Sequence, residues 1–159
     1  MDQVDRRLLA ALQEDATQSY AALAAAAGLS TAATHDRVRK LRERGAIRRT
    51  SIDVDPRAVG YPVLAFVLVG SDAWIGGPAT AVALRALPWV QEAHIVAGAS
   101  SLLLKVRAAS TEELQSVLRR IYDIDGVAST ETVVVLETFF ERPVHLDTGA
   151  TEGKGADGA

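Results

Sequence analysis

The stretch that decides the fold is residues 20–49, which read YAALAAAAGLSTAATHDRVRKLRERGAIRR. An alanine-rich segment ends at Gly28, and Ser30 is placed to cap a second helix that ends before Gly45. Residues 37–49 hold seven basic side chains and one acidic side chain. Two helices joined by a tight glycine-containing turn, the second of them basic, predict a helix-turn-helix that places its second helix in the DNA major groove.

Positive charge is confined to the N-terminal part of the chain. Residues 1–50 hold nine basic and six acidic side chains, a net charge of +3, whereas residues 51–159 hold eight and fourteen, a net charge of −6. A basic head on an acidic body predicts that double-stranded DNA is bound by the head alone. The chain has no cysteine and three scattered histidines, so we predict no metal, no cofactor and no catalytic residue.

The cellular location follows from the N-terminus and the hydropathy. The opening MDQVDRRLL is charged from its second residue, and the longest apolar run, residues 63–69, is far shorter than a membrane span. We therefore expect no membrane partner and a cytoplasmic, nucleoid-associated protein.

The predicted recognition helix has two distinct sides. On a wheel of about 100° per residue, Thr34, Val38 and Leu41 share the inward side. Asp36 on the outward side is unusual for a DNA surface and is able to accept a hydrogen bond from a cytosine amine. Arg37 lies on a flank, where it reaches either a phosphate or Asp5. The predicted DNA-binding set is Thr31, Ala32, His35, Asp36, Arg37, Arg39 and Lys40.

The pattern predicts an α+β chain in four parts. Residues 1–50 form the helix-turn-helix domain, of winged-helix type because residues 47–52 alternate apolar and polar and predict a small wing strand. Residues 51–61 form a hinge. Residues 62–142 form a ferredoxin-like βαββαβ domain, and residues 143–159 form a flexible tail. The predicted strands are 63–69, 92–97, 102–107 and 127–139, and the predicted helices are 77–87 and 110–122.

The strands of the second domain predict self-association. Residues 63–69 read VLAFVLV, so both faces of this strand are apolar. Two helices cover one face of a four-stranded sheet, and the other face needs a cover as well. The simplest cover is a second copy in a two-fold homodimer, and the alternative is the DNA-binding head of the same chain.

Several ordered motifs over residues 2–142 together resemble the Lrp/AsnC (leucine-responsive/asparagine regulator, feast/famine) family of bacterial transcription regulators. The resemblance implies sequence-specific DNA binding, an amino acid or related metabolite as effector, and homodimers that assemble to tetramers or octamers. It makes residues 62–142 the effector-binding and dimerisation domain. The motifs are Asp2 to Asp15, Leu23-Ala24, Gly28-Leu29-Ser30, Arg37-Val38 with Leu41, Gly45 and Ile47, Asp55-Pro56 with Gly60, Leu87-Pro88-Trp89-Val90, Leu103 to Arg107, and Gly126-Val127 with Thr130, Thr132 and Val134-Val135-Leu136.

The resemblance also implies where an effector binds, with one departure from the family pattern. Members that sense amino acids usually carry Gly-x-x-Asp-Tyr in the turn between the two central strands, and here Ser101 and Leu102 take the last two places. Ser101 can hydrogen-bond an ammonium group but cannot form an ion pair with it, so amino-acid binding is expected to be weak or the effector to be different. The implied pocket is Gly98, Ala99, Ser100, Ser101, Leu102, Thr130, Thr132 and Val133.

Two other functions fit the same two-part architecture. One is an enzyme similar to the sirohaem decarboxylases, although His35 and His94 fall in different domains and form no evident catalytic pair. The other is an architectural DNA-binding protein with no effector.

Overall fold

The structure is a computed structural model, and it describes residues 1–149. These residues divide into two compact units. We call residues 1–52 together with 141–149 the head, and residues 53–140 the body. Residues 143–149 of the predicted tail therefore group with the head, and residues 150–159 lie outside the described residues. None of the helices within residues 1–149 is long and apolar enough to cross a membrane.

The head contains three helices, and a side chain caps the start of each. Helix α1 is Gln3–Glu14, α2 is Tyr20–Ala27 and α3 is Thr31–Glu43. The Asp2 side chain accepts from the backbone N–H of Asp5, and the Asp5 side chain accepts from the backbone N–H of Asp2, which is a reciprocal capping box. A small apolar core joins the three helices through Leu8, Leu23, Ala27 and Val38.

The expected wing strand is absent. Residues 48–52 form neither strand nor helix, so the prediction of a wing at residues 47–52 is wrong. Ile47 instead packs against the head core, and its backbone N–H donates to the carbonyl oxygen of Leu41 at 3.2 Å. Alternation of apolar and polar residues does not produce a strand here, because a strand needs a partner strand and the described head contains none.

The body confirms the predicted βαββαβ order. Its elements are β1 Val63–Gly70, α4 Pro78–Arg85, β2 Val90–Ile95, β3 Leu102–Ala108, α5 Thr111–Tyr122 and β4 Ser129–Val135. All strand pairs are antiparallel, in the order β2-β3-β1-β4. Strand β4 is shorter than the predicted 127–139 because its only neighbour, β1, begins at Val63 and pairs Leu64 with Val135. Within the described residues nothing after Val135 pairs with a strand, and Leu136 is 92% exposed.

One face of the sheet packs against the two helices. Alternate residues of β1 and β3 on this face are buried with Leu84 of α4 and with Leu114, Val117 and Ile121 of α5. Together these residues form the core of the body. The strand residues in this core are Ala65, Val67, Val69, Leu102, Leu104, Val106 and Ala108.

We call the opposite side of the sheet the open face. Its centre is apolar: Phe66 and Leu68 of β1 are half-buried, and Phe66 pairs with Val133 of β4. Its β2–β3 end is charged, since Lys105 pairs in register with Glu92 and its Nζ lies 3.5 Å from the Glu92 carboxylate. The expectation of apolar residues on both faces therefore holds for β1, and charged side chains interrupt it towards β2.

Candidate nucleic-acid interface and ligand-binding site

The turn between α2 and α3 is built by one glycine. Gly28 adopts a left-handed conformation with φ 70° and ψ 40°, which a residue without a Cβ reaches at little cost. Its N–H donates to Ala25, and the N–H of Leu29 donates to Ala24 at 2.9 Å, so the turn closes as a Schellman motif. The Ser30 hydroxyl then accepts from the backbone N–H of Ala33 at 3.2 Å and starts α3. Three residues, Gly28 to Ser30, thus separate α2 from α3.

The inward side of α3 is the predicted one. Thr34, Val38 and Leu41 are 0%, 1% and 3% exposed, which confirms the wheel. The Thr34 hydroxyl donates to the carbonyl oxygen of Ser30 at 3.0 Å, so this buried polar group is satisfied. With this side fixed against α1 and α2, the opposite side of α3 faces solvent.

Arg37 is held by two carboxylates of the first helix. Its Nη1 lies 2.7 Å from Asp2 Oδ2 and 2.8 Å from Asp5 Oδ1. The Asp5 side chain is 9% exposed and that of Arg37 is 34% exposed. The backbone N–H of Asp5 and then the Arg37 guanidinium hold the pKa of Asp2 below its ordinary value. The structure therefore places Arg37 in a link between α3 and the start of α1, one of the two positions expected for it.

The outward side of α3 carries a network of intrahelical ion pairs. Asp36 accepts from Arg39 Nη2 at 2.5 Å and pairs with Lys40 Nζ at 2.7 Å. Arg39 Nη1 also lies 2.6 Å from Glu43 Oε1. Lys40 and then Arg39 lower the pKa of the Asp36 carboxyl below its ordinary value. All four side chains are about half exposed, so the network is open to an incoming ligand.

The remaining predicted side chains lie towards the start of the helix. Thr31 and Ala32 are exposed in its first turn. The His35 ring packs on Tyr20 of α2, with ring centroids 4.7 Å apart and planes tilted by 40°. His35 therefore contacts the preceding helix while it stays exposed at the edge of the outward side.

Four further arginines are absent from the predicted set. Arg42, Arg44, Arg48 and Arg49 are exposed, and none forms an ion pair within the described part of the chain. The sequence contains the signal that identifies them, because Asp36 and Glu43 are spaced three or four residues from Arg39 and Lys40 rather than from these arginines. Unpaired positive charge is thus concentrated at the end of α3 and just after it.

The residues implied for an effector gather at one end of the body's sheet. Val69 of β1 pairs with Leu102 on one side and with Thr130 on the other. The N–H of Ser101 donates to the carbonyl oxygen of Val69 at 2.8 Å, which holds the 98–101 turn beside the end of β1. Gly98 in this turn has φ 148°, a conformation that side-chain-bearing residues rarely adopt.

These residues do not all face one side of the sheet. Thr130 and Thr132 pair with Val69 and Val67 on the helix-covered face, whereas Val133 pairs with Phe66 on the open face. Leu102 is 3% exposed and belongs to the core. Within one protomer the turn and the two threonines therefore share an end of the sheet, and Val133 points to the opposite face.

Fold and sites together define a helix-turn-helix DNA-binding protein with a separate α+β ligand-binding domain. Residues 1–42 match the AsnC-type helix-turn-helix domain family, and residues 65–144 match the Lrp/AsnC ligand binding domain family. The chain belongs to the Lrp/AsnC family of transcriptional regulators, as its motifs predicted.

Known relatives agree with this assignment over almost their full length. The chain is 35% identical to the HTH-type transcriptional regulator FL11 of Pyrococcus horikoshii, over 89% of this chain and 93% of the relative. It is 36% identical to the regulatory protein AsnC of Escherichia coli, over 91% and 95%. The E. coli AsnC structure superposes with a TM-score of 0.83 over 91% of this chain and 97% of that one.

A fourth comparison concerns a ligand. The structure of a feast or famine regulatory protein from M. tuberculosis complexed with L-methionine is 34% identical, with a TM-score of 0.83 over 91% of this chain and 98% of that one. The relatives and both domain families are those of transcriptional regulators, so the chain is a regulator rather than an enzyme.

Proposed function

We propose that the outward side of α3 enters the major groove of double-stranded DNA and that the cations around it bind phosphates. The observation that carries this proposal is the burial of Thr34, Val38 and Leu41, which leaves only the charged side of α3 available to a partner. Thr31, Ala32, His35 and Asp36 lie nearest the start of the helix, where recognition helices contact base edges. Arg37 positions the helix through Asp2 and Asp5, and a nucleoid location follows from DNA binding.

The test is a fluorescence-anisotropy titration of labelled duplex DNA at several salt concentrations. Replacing Arg39 and Lys40 together by alanine is expected to weaken binding to all sequences and to flatten the salt dependence, because each lost phosphate contact releases about one counterion fewer. The matched control replaces Arg85 and Arg119, two exposed arginines of the body, and removes the same charge. Equal loss of affinity in the two double variants would assign the effect to net charge and not to α3.

We also propose that the open face of the sheet pairs with the same face of a second copy. Phe66, Leu68 and Leu103 form its half-buried apolar centre, and Val133 beside them is 50% exposed. In a two-fold dimer the apolar patch of one protomer covers the same patch of the other, and the two heads then present two copies of α3. Half-sites on the DNA are expected one helical turn apart or a multiple of it. Further assembly to tetramers or octamers is part of this proposal.

The body is proposed to bind a small-molecule effector at the 98–101 turn and Thr130. The M. tuberculosis relative complexed with L-methionine supports an amino acid or a related metabolite as the class. Ser100 and Ser101 are half-buried and offer hydroxyls, and Gly98 leaves open space around the turn. Because no carboxylate occupies position 101, the ammonium group of an amino acid lacks an ion-pair partner there, and binding is expected to be weak.

Val133 fits this proposal only through assembly. It lies on the open face, opposite to Thr130 and Thr132, and we propose that it contacts a ligand bound at the turn of another protomer. A thermal-shift screen of the twenty amino acids and related metabolites tests the effector, because a ligand that binds only the native state raises the melting temperature. No stabilisation by any of them at millimolar concentration would favour an architectural DNA-binding protein instead.

A further inference from the structure

Asp36 is an acidic side chain at the centre of a surface that otherwise suits DNA. It is the sixth residue of α3 and is 45% exposed on the outward side. Its two oxygens hold Arg39 and Lys40, the two cations nearest to it on that side. A carboxylate here repels phosphate and competes with it for both cations, so it lowers affinity for DNA of any sequence.

That general cost is recovered only where the DNA offers Asp36 a hydrogen-bond donor. In the major groove, cytosine presents its N4 amine without an adjacent acceptor. Adenine presents an amine beside the N7 acceptor, whose lone pair repels a carboxylate, and guanine and thymine present acceptors at the corresponding edge. A carboxylate at this position is therefore satisfied best by cytosine.

We propose, on the basis of the DNA-binding function above, that Asp36 is a specificity-determining residue that reads one cytosine in each half-site. On a cytosine-containing site Asp36 binds the N4 amine, and Arg39 and Lys40 turn to the flanking phosphates. On other DNA the Asp36 carboxylate faces hydrogen-bond acceptors of the base edges, and it competes with the phosphates for Arg39 and Lys40. The residue thus reduces binding to bulk DNA more than binding to the operator.

The test replaces Asp36 with asparagine, which has the same size and shape but no charge. An asparagine amide pairs with both N6 and N7 of adenine, so the preferred base is expected to change from cytosine to adenine at one position per half-site. The Asp36 side chain is exposed, and the opposite side of α3 is buried in the head. Asp36→Asn is therefore expected to fold, which circular dichroism checks directly.

The matched control is Glu43→Gln. It removes one negative charge from the same side of the same helix and breaks the ion pair of Arg39 Nη1, but it lies at the end of α3, seven residues beyond Asp36. Both variants are expected to bind a scrambled duplex several-fold more tightly than the wild type. Only Asp36→Asn is expected to change the base preference.

The experiment selects duplexes from a randomised pool with the full chain and measures the affinity of each selected duplex and its single-base variants. The wild type and Glu43→Gln are expected to prefer cytosine over adenine at the position by roughly tenfold, and Asp36→Asn to prefer adenine. The same consensus from all three proteins, or a wild-type consensus without such a cytosine, would overturn the role of Asp36 and leave DNA binding intact. Absence of any salt-dependent duplex binding by the wild type would instead refute the proposed function itself.

Discussion

The role of Arg37 separates structural from DNA-contacting arginines on α3, and one substitution tests it. Arg37→Ala removes both ion pairs to α1 and leaves the Asp5 carboxylate 9% exposed with no cation. Losing a charged hydrogen bond to such a group costs about 1.5–3 kcal/mol, but Arg37 is one-third exposed and solvent screens part of the attraction. We therefore expect a loss of about 1–2 kcal/mol in the stability of the head.

The assay exploits the positions of the tryptophans. Both of them, Trp74 and Trp89, lie in the body, so their fluorescence reports body unfolding, whereas helical circular dichroism also includes the head. A loss of about 1–2 kcal/mol lowers the melting temperature of a head of this size by roughly 8–16 °C. The fluorescence transition is expected to stay unchanged. A double-mutant cycle with Asp5→Asn then measures the coupling between the two side chains.

DNA binding supplies the second half of this test. Arg37→Ala is expected to leave the salt dependence of binding unchanged, because no phosphate contact is lost. Arg39→Ala is expected to reduce the slope of log affinity against log salt by about 0.9 and to leave the melting temperature unchanged. The reasoning is refuted if Arg37→Ala reduces the slope by about one unit while the head melts as in the wild type.

Three further changes address the dimer, acid stability and the effector. Phe66→Glu, which puts a charge in the apolar centre of the open face, is expected to give a light-scattering mass near the 16.8 kDa of one chain, whereas a wild type that is already monomeric at all concentrations would contradict the proposed dimer. The pKa of Asp2 is depressed in the folded state, so its carboxylate contributes to the free energy of unfolding at neutral pH. This contribution is lost as the pH falls below about 4. Asp2→Asn still caps α1, and it should make the stability of the head less sensitive to acid. Ser101→Asp is expected to increase amino-acid affinity measured by calorimetry, and Gly98→Val to abolish the effector response with DNA binding retained, whereas tight binding undisturbed by Gly98→Val would place the pocket elsewhere.

Local patterns in the sequence were sufficient for the elements and for the sides of α3. Helical periodicity identified Thr34, Val38 and Leu41 as buried, and the Gly28 and Ser30 signals placed the turn, since each depends on residues within one or two helical turns. Features that depend on distant partners were not predictable in the same way. The end of β4 is set by where β1 begins, not by the apolar residues that continue the pattern to Phe139.

Strand register explains why the sequence alone did not predict which residues of the implied effector site share one face of the sheet. Successive residues of a strand point to opposite faces, but which face Thr130 shares with the core is decided by its pairing with Val69. The family resemblance implied Thr130, Thr132 and Val133 as one group, whereas the pairing places Val133 with Phe66 on the other face. One protomer therefore does not present all three side chains on one face of its sheet.

The distribution of charge along α3 predicts base contacts near its start, phosphate contacts near its end, and the salt dependence of DNA binding. Towards the start, Asp36 engages Arg39 and Lys40, while the unpaired arginines lie at the end of α3 and beyond it, where cations also favour the negative end of the helix dipole. Base reading at the start and phosphate anchoring at the end follow from this arrangement. Phosphate contacts by Arg42, Arg44, Arg48 and Arg49 alone give a salt slope of roughly −4 per head, and contacts by Arg39 and Lys40 in addition raise its magnitude to roughly 5.

The Asp36→Asn variant distinguishes these two limits. On scrambled DNA the wild type is expected to have a smaller slope than the variant, because Asp36 competes with phosphate for Arg39 and Lys40. The slopes come from anisotropy titrations at four or more salt concentrations with a single scrambled duplex. Equal slopes for the two proteins would mean that the intrahelical pairs do not compete with phosphate, and the separation of tasks along α3 would then lose its electrostatic basis.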